Sequence, residues 1–159
     1  MAVGYVVAIV GVTGAAGQTT LKILKERKFP LKELRCFASE RSEGKTVEFA
    51  GELVRVERVP PECFKGVEIA FFSAGSAQSK AFAPTAVRSG AIVVDKSSAF
   101  RMDPEVPLVV PEINPHAVRG HKGIVASPNC TTVVTVMPLK PLHDAARVRR
   151  VVATSYQAV

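Results

Sequence analysis

Tryptophan is absent from this 159-residue chain, and eight phenylalanines and two tyrosines bring the aromatic content to only 6%. So few rings offer no stacking platform of the kind that single-stranded nucleic acid requires. The lysines and arginines behind the formal net charge of +7 are scattered, with local clusters at residues 22–28 and 147–150. That balance points away from nucleic acid and towards small phosphorylated ligands, which need only local positive charge. Long apolar runs are also missing. The longest near the N-terminus, Tyr5–Val10, falls far below the roughly 20 residues needed to cross a bilayer. It has no basic leader and reads as a strand, not a signal peptide, so no membrane association is expected. Cysteine is scarce. Cys36, Cys63 and Cys130 form no close pair, which argues against a disulfide framework or a zinc site and implies a reducing cytoplasm. Neither a low-complexity tract nor an internal repeat is visible. The remainder is ordinary for a globular chain, 47% apolar and 22% charged, and long enough for one sizeable core.

Hydrophobic patterning predicts alternating strands and helices. A buried β-branched strand at residues 6–10 leads into a glycine loop and then a helix over 18–28 that Pro30 closes; a second short strand follows at 34–38. Residues 46–49 and 53–59 read as half-exposed strands of a hairpin around Ala50-Gly51. A buried strand is expected at 67–73, a helix at 76–89 with Ser76 as its N-cap and Pro84 as an irregularity, and a strand at 91–95 ending in Asp95. Short strands at 108–110 and 123–126 complete the alternation. The fold class this predicts is α/β, a Rossmann-type, doubly wound and mostly parallel sheet. After Cys130 a helix over 131–144 is expected to be broken by Pro138 and Pro141. Residues 149–156 alternate as a new strand whose apolar side chains need a sheet this chain does not supply. The chain therefore reads as part of a longer protein: residues 1–129 as a dinucleotide-binding domain, and 130–159 as the start of a second α+β domain for catalysis and dimerisation.

Two segments carry chemistry. Gly11-Val12-Thr13-Gly14-Ala15-Ala16-Gly17 follows a strand and opens a helix, the context that gives a glycine pattern meaning. Gly11 permits a tight turn, Gly14 lets backbone approach a pyrophosphate, Gly17 lets the helix pack close to the strand, and the helix N-terminus favours negative charge. A tight turn in an unrelated α/β fold is the plain alternative. Past the second strand, Ser39, Arg41, Ser42 and Lys45 are candidates for a 2′-phosphate, whereas Glu40 is a candidate acid for a free 2′-hydroxyl. The cation-rich set favours NADP over NAD.

The other segment is Ser127-Pro128-Asn129-Cys130-Thr131-Thr132. It places a cysteine at a helix start, where the dipole favours thiolate, the form that attacks acyl carbons. Asn129 and nearby backbone N–H groups are candidates to hold an oxyanion. The plain alternative, a small buried hydrophobe, is the reading for Cys36 and Cys63. His116, His121 and His143 have no supporting pattern, and none is assigned as a base. Asp95-Lys96-Ser97-Ser98-Ala99-Phe100-Arg101 follows a strand, at the ligand edge of a doubly wound sheet. Arg101 there can grip a phosphate through parallel hydrogen bonds or simply lie in solvent. Asp95 can brace the loop.

Together, the glycine loop, Phe72-Ser73-Ala74-Gly75, the segment from Asp95 to Arg101, Pro111-Glu112-Ile113-Asn114, the cysteine segment and Tyr156-Gln157-Ala158-Val159 resemble the N-terminal half of the aspartate-semialdehyde dehydrogenase family, in family order along nearly the whole chain. The resemblance implies an oxidoreductase that reduces L-aspartyl-4-phosphate with NADPH to L-aspartate 4-semialdehyde and releases phosphate, on the route to lysine, methionine, threonine and diaminopimelate. It implies Cys130 as the nucleophile that carries a thioester, Arg101 as the phosphate-binding arginine with Asn129 nearby, and Gln157 in contact with substrate. It puts Thr13, Gly14, Ala15, Ala16, Arg41 and Ser42 at cofactor positions, with Ser73 and Gly75 in a segment lining that site. It also implies a homodimer or homotetramer at full length, with the acid–base histidine, a substrate-binding arginine and most of the dimer-forming sheet supplied by a missing half in cis or in trans. The isolated 159 residues are then expected to lack normal turnover. N-acetyl-glutamyl-phosphate reductase shares the thioester logic, but its cysteine normally follows glycine. Glyceraldehyde-3-phosphate dehydrogenase has a Cys-Thr-Thr run, but the segment from Asp95 to Arg101 does not suit it. A non-catalytic NADP-binding module is the alternative from another class.

Overall fold

Five of the six residues of the first strand, β1 (Tyr5–Val10), are buried, which marks it as the centre of a sheet covered on both faces. In the computed structural model, which describes residues 4–60 and 62–157, it is followed by α1 (Ala15–Glu26), β2 (Leu31–Ala38), a 3₁₀ turn (Glu40–Ser42), β3 (Thr46–Phe49) and β4 (Glu52–Arg58). Then come β5 (Ile69–Phe72), α2 (Ser76–Arg88), β6 (Ile92–Asp95), a second 3₁₀ turn (Pro115–Gly120), β7 (Ile124–Ala126) and α3 (Cys130–Ala146). The seven strands lie in the order β3-β4-β2-β1-β5-β6-β7. All pairs are parallel except β3 with β4, a hairpin turned at Ala50 and Gly51, both with positive φ.

Successive side chains of β1 feed two cores. Val7 and Ile9 pack with Leu21 and Leu24 of α1. Val6, Ala8 and Val10 pack with Phe37, Phe64, Phe72 and, from α2, Ala83 and Ala86. Helices therefore cover opposite faces. The chain leaves β1 for β2 on one side and reaches β5 on the other, so the order of strands reverses beside β1. At such a reversal the connections diverge and leave a crevice at the strands' carboxyl ends.

The structure corrects several expectations. Helix α1 begins at Ala15, three residues before 18, because the Gly14 N-cap lets the backbone enter the helix at once; Ala15, Ala16 and Gly17 are its first turn. It ends before Pro30. Lys28 adopts φ 49°, and Pro30 instead offers its carbonyl to the N–H of Tyr5. Gly75, not Ser76, occupies the N-cap of α2, and the Ser76 hydroxyl bonds that of Ser98 at 2.8 Å. Residues 108–110 contribute a single bridge, Leu108 to Ala126. Pro138 and Pro141 do not break α3, which runs for 17 residues. No strand forms over 149–156: the segment is irregular and largely exposed, with Val152 88% and Tyr156 94% accessible. A strand needs a partner edge for its hydrogen bonds, and the described sheet gives it none. Ala158 and Val159, the end of the last motif, lie outside the described residues.

Candidate active site

The glycine turn is fixed by contacts no side chain would permit. Gly11 has φ +88°, and a Cβ there would meet Ser73 C at 2.7 Å and Ala74 N at 2.8 Å. A Cβ on Gly17 would lie 2.2 Å from the Gly11 carbonyl oxygen, so glycine at 17 lets α1 sit directly on the turn. Gly14 differs. Its nearest atom would be 3.5 Å away, and the open space lies ahead of the helix start, where a pyrophosphate would be received. The α1 N-terminus has neither a side-chain cap nor an acidic residue in its first turn, so its first N–H groups are left for an anion.

In front of this turn lies a cleft of about 800 Å³. Gly11, Thr13 and Gly14 form its floor, Ser39, Glu40, Arg41 and Arg58 one wall, and Ser73, Ala74, Gln78 and Phe82 the other. Its size suits a small-molecule or cofactor site. The Ser73 hydroxyl is a buried polar atom with no hydrogen-bond partner among the described residues, which a ligand group would satisfy. The open approach at Gly14, the uncapped helix, the orphan hydroxyl and the cationic wall all fit a dinucleotide.

The end of β2 is pinned from two sides. Thr13 Oγ1 donates to Ser42 Oγ at 3.4 Å, and the Gly44 N–H donates to the Val56 carbonyl of β4 at 2.9 Å. Ser39, Glu40 and Arg41 thereby face the cleft. Ser42 is buried behind them at 9% exposure and serves to hold the wall. Lys45 does not line the cleft; its backbone is occupied by Val56.

A second set of bonds starts at Asp95, fully buried at the end of β6. Its carboxylate accepts from Ser79 Oγ at 2.6 Å and Ser97 Oγ at 2.8 Å. This braces the following loop, whose Ser97 hydroxyl accepts from the Ala99 N–H. Lys96 reaches back to α1 and donates to Thr20 Oγ1 at 3.2 Å and the Ala16 carbonyl at 3.5 Å. Burial holds its pKa below the usual lysine value. Half-buried Arg101 donates from Nε to the Ser127 carbonyl and from Nη2 to the Lys96 carbonyl, both at 2.9 Å. Its plane is thus fixed, with three of its five N–H groups still available.

Ser127 leads into α3, and Cys130 is the first residue of that helix. Its N-cap, Asn129, accepts through Oδ1 from the Thr131 N–H at 2.9 Å and the Thr131 hydroxyl at 2.6 Å. The same oxygen lies 3.7 Å from Cys130 Sγ, the one hydrogen bond of that sulfur among the described residues. Asn129 Nδ2 donates to Gln157 Oε1 at 3.2 Å. Cys130 is exposed, whereas Cys36 and Cys63 are buried and burial pushes their thiols up to about 12 and about 11. Among the described residues no histidine bonds Cys130; His121 Nδ1 accepts from the Gly123 N–H.

The expected residues thus fall in two groups on one edge of the sheet. Gly11, Thr13, Gly14, Ser39, Arg41 and Ser73 line the cleft, while Arg101, Asn129, Cys130 and Gln157 gather at the start of α3. Ala15, Ala16 and Gly17 form the helix turn beside the cleft, and Gly75 caps α2. The two groups are joined through α1, Lys96, Arg101 and Ser127. Two residues of this arrangement escaped the sequence reading: Lys96, as the link to α1, and Arg58, as part of the cleft wall. The signal for Arg58 was a cation at the end of a strand whose neighbour in the sheet could not be known.

The family described as semialdehyde dehydrogenase, NAD binding domain, matches residues 6–121. Aspartate-semialdehyde dehydrogenase of Aquifex aeolicus is 54% identical over 159 residues, covering 98% of this chain and 47% of that protein. The enzyme of the same name from Synechocystis is 50% identical over 152 residues, 96% of this chain and 45% of that protein. The crystal structure of aspartate semialdehyde dehydrogenase II of Vibrio cholerae, complexed with ASA, superposes with a TM-score of 0.86 at 49% identity over 89% of this chain and 47% of its own. The chain spans about half the length of the curated relatives it matches.

Proposed function

The chain belongs to the semialdehyde dehydrogenase family through its NAD-binding domain, and from that premise we propose that it is the cofactor-binding, thiol-bearing half of an NADP-dependent aspartate-semialdehyde dehydrogenase. The observation that carries this reading is the placement of an exposed cysteine at the start of α3, on the same sheet edge as the glycine turn and tied to it through Lys96 and Arg101.

The Cys130 thiolate attacks the acyl carbon of L-aspartyl-4-phosphate. The carbon–sulfur bond forms as the bond to phosphate oxygen breaks, and inorganic phosphate leaves with the electron pair. Arg101, fixed by two carbonyls, offers its free N–H groups to that phosphate. Asn129 and the N–H groups of the first turn of α3 stabilise the oxyanion. Gly11, Thr13, Gly14 and Ser73 would hold a dinucleotide that would supply hydride to the acyl carbon; the carbon–sulfur bond then breaks, the electron pair returns to the Cys130 thiolate and L-aspartate 4-semialdehyde leaves. Asn129 also positions Gln157 for the substrate.

Residues 1–129 form the dinucleotide domain, and 130–159 begin a second domain. Supporting this division, α3 has no buried residue, and Val134, Met137, Leu142, Val151 and Val152 are exposed. The acid–base group, the grip on the substrate carboxylate and the homo-oligomeric contacts belong to that second domain, in cis or in trans. No helix among the described residues is long and apolar enough to cross a membrane, and a reducing cytoplasm suits a free thiol.

Incubation with the acyl phosphate, followed by mass spectrometry, tests the proposal. A covalent aspartyl adduct should appear on Cys130 alone and vanish in Cys130→Ser. Absence of any adduct in a preparation that binds NADPH would defeat the nucleophile assignment while leaving the cofactor domain intact.

A further inference from the structure

Arginines near the cleft are not equivalent. Arg35 is committed elsewhere: it donates to Glu33 at 2.6 Å and to the carbonyls of Cys63 and Lys65. Among the described residues the ion pairs are Lys22–Glu26, Glu33–Arg35, Glu105–Lys122 and Lys140–Asp144. Arg41 and Arg58 take part in none of these, and neither side chain makes a hydrogen bond among the described residues, yet both line the same cleft. Two unpaired guanidinium groups at one wall repel each other unless an anion lies between them.

Backbone geometry brings them together. β4 pairs in parallel with β2, and Arg58 stands opposite Ala38, a spacing of about 4.8 Å between strands. Ser39-Glu40-Arg41 turns away immediately after Ala38. Alternation along β4 puts Arg58 on the face of Val56, which packs with Ala38 and with Leu21 and Leu24 of α1. Arg55 and Glu57 point the other way. Glu40, the one acid in the wall, is outnumbered two to one. This is the end of the cleft beyond β2, where the ribose farther from the glycine turn's reaction end comes to rest.

We propose that Arg58 is a specificity-determining residue which, with Arg41 and Ser39, holds the 2′-phosphate of the dinucleotide. The inference rests on the cofactor reading given above and adds to it a residue on a different strand from the β2 loop. The 2′-phosphate carries close to two negative charges at neutral pH and accepts planar, paired N–H groups from guanidinium. Arg41 alone meets the opposing charge of Glu40; Arg58 restores a net positive wall. A ribose 2′-hydroxyl gains nothing from the second cation, so the residue separates NADP from NAD.

Calorimetric titration of the 159-residue chain with NADPH, NADH and 2′,5′-ADP tests this without turnover. Arg58→Gln should weaken NADPH and 2′,5′-ADP by about tenfold or more, the worth of a charge-assisted hydrogen bond, and leave NADH unchanged. Arg58→Lys should recover part of the loss, and Arg55→Gln, on the opposite face of the strand, should have no effect. A wild-type ratio of NADPH to NADH affinity in Arg58→Gln overturns the assignment, as does an equal loss for both, which would mean contact with the adenine. If the wild-type chain binds NADPH while Arg58→Gln changes nothing, the cofactor reading survives and only this residue's role falls. If the wild type binds neither dinucleotide, the cofactor reading falls and takes this assignment with it.

Discussion

Individual residues in this chain are constrained by very different forces. Gly17 is held by sterics alone: 2.2 Å from a Cβ to a carbonyl oxygen cannot be relieved by a rotamer change. Gly17→Ala should cost about 3 kcal/mol, the upper end for overpacking, read as a lower urea midpoint, and should weaken NADPH binding as α1 is pushed off the turn. Cys36 is constrained by desolvation instead. Its ordinary thiol pKa near 9.0 rises to about 12 when folded. Below pH 9 both states hold the proton and stability is unaffected. Between 9 and 12 the unfolded chain releases a proton that the folded chain keeps, so stability should fall as pH rises, by up to about 1.4 kcal/mol per pH unit. Urea titrations from pH 8 to 11 on the native chain and on Cys36→Ala should show a shallower slope for the variant; parallel slopes would contradict the burial argument.

At the scale of elements, the loop after β6 is the part most dependent on one side chain. Asp95 is at 0% exposure and receives two hydroxyl hydrogen bonds, one from α2 and one from its own loop. Asp95→Ala leaves Ser79 and Ser97 without their acceptor. It should cost about 3 kcal/mol and should also displace Arg101, since Lys96 and Ser127 hold that arginine through carbonyls on either side of Asp95. Thermal melts give the stability. Phosphate binding, which should weaken more than NADPH binding, distinguishes loop displacement from general unfolding. Helix α3 shows the opposite condition. Its length is set locally, and the two prolines that sequence reasoning treated as breaks are absorbed. A proline removes one N–H and disfavours the helical conformation before it, but at largely exposed positions the freed carbonyls can turn to water.

At the scale of the whole molecule, the sheet edge collects the glycine turn, the cationic wall, Arg101 and the thiol, while α3 and residues 147–157 present apolar side chains that the described residues leave uncovered. The isolated chain should therefore bind NADPH and acquire an acyl group on Cys130, yet show no steady-state reduction. Mixing with a polypeptide spanning the remaining half of its relatives' length should restore turnover and protect Val134 and Met137 from solvent, as hydrogen exchange would report. Wild-type-like turnover by the 159 residues alone would contradict this division of labour.

Sequence by itself determined the features that depend on local chemistry. Glycine spacing after a buried β-branched strand announced the dinucleotide turn, because only glycine tolerates φ +88° and a carbonyl at contact distance. The alternation of strands and helices announced a doubly wound sheet, because parallel strands need covered crossovers. Asn-Cys-Thr at a helix start marked the thiol, because an Asn N-cap and a helix N-terminus are local devices. Tertiary structure alone decided what lies side by side across the sheet. Parallel pairing of β2 with β4 put Arg58 in the cleft wall, burial set Ser42 behind that wall and fixed Asp95 as the brace its loop position allowed, and the lack of a partner edge left residues 149–156 without the strand their alternation predicted. Sequence periodicity encodes which face a side chain takes, but its neighbour on that face is fixed only when distant segments pack.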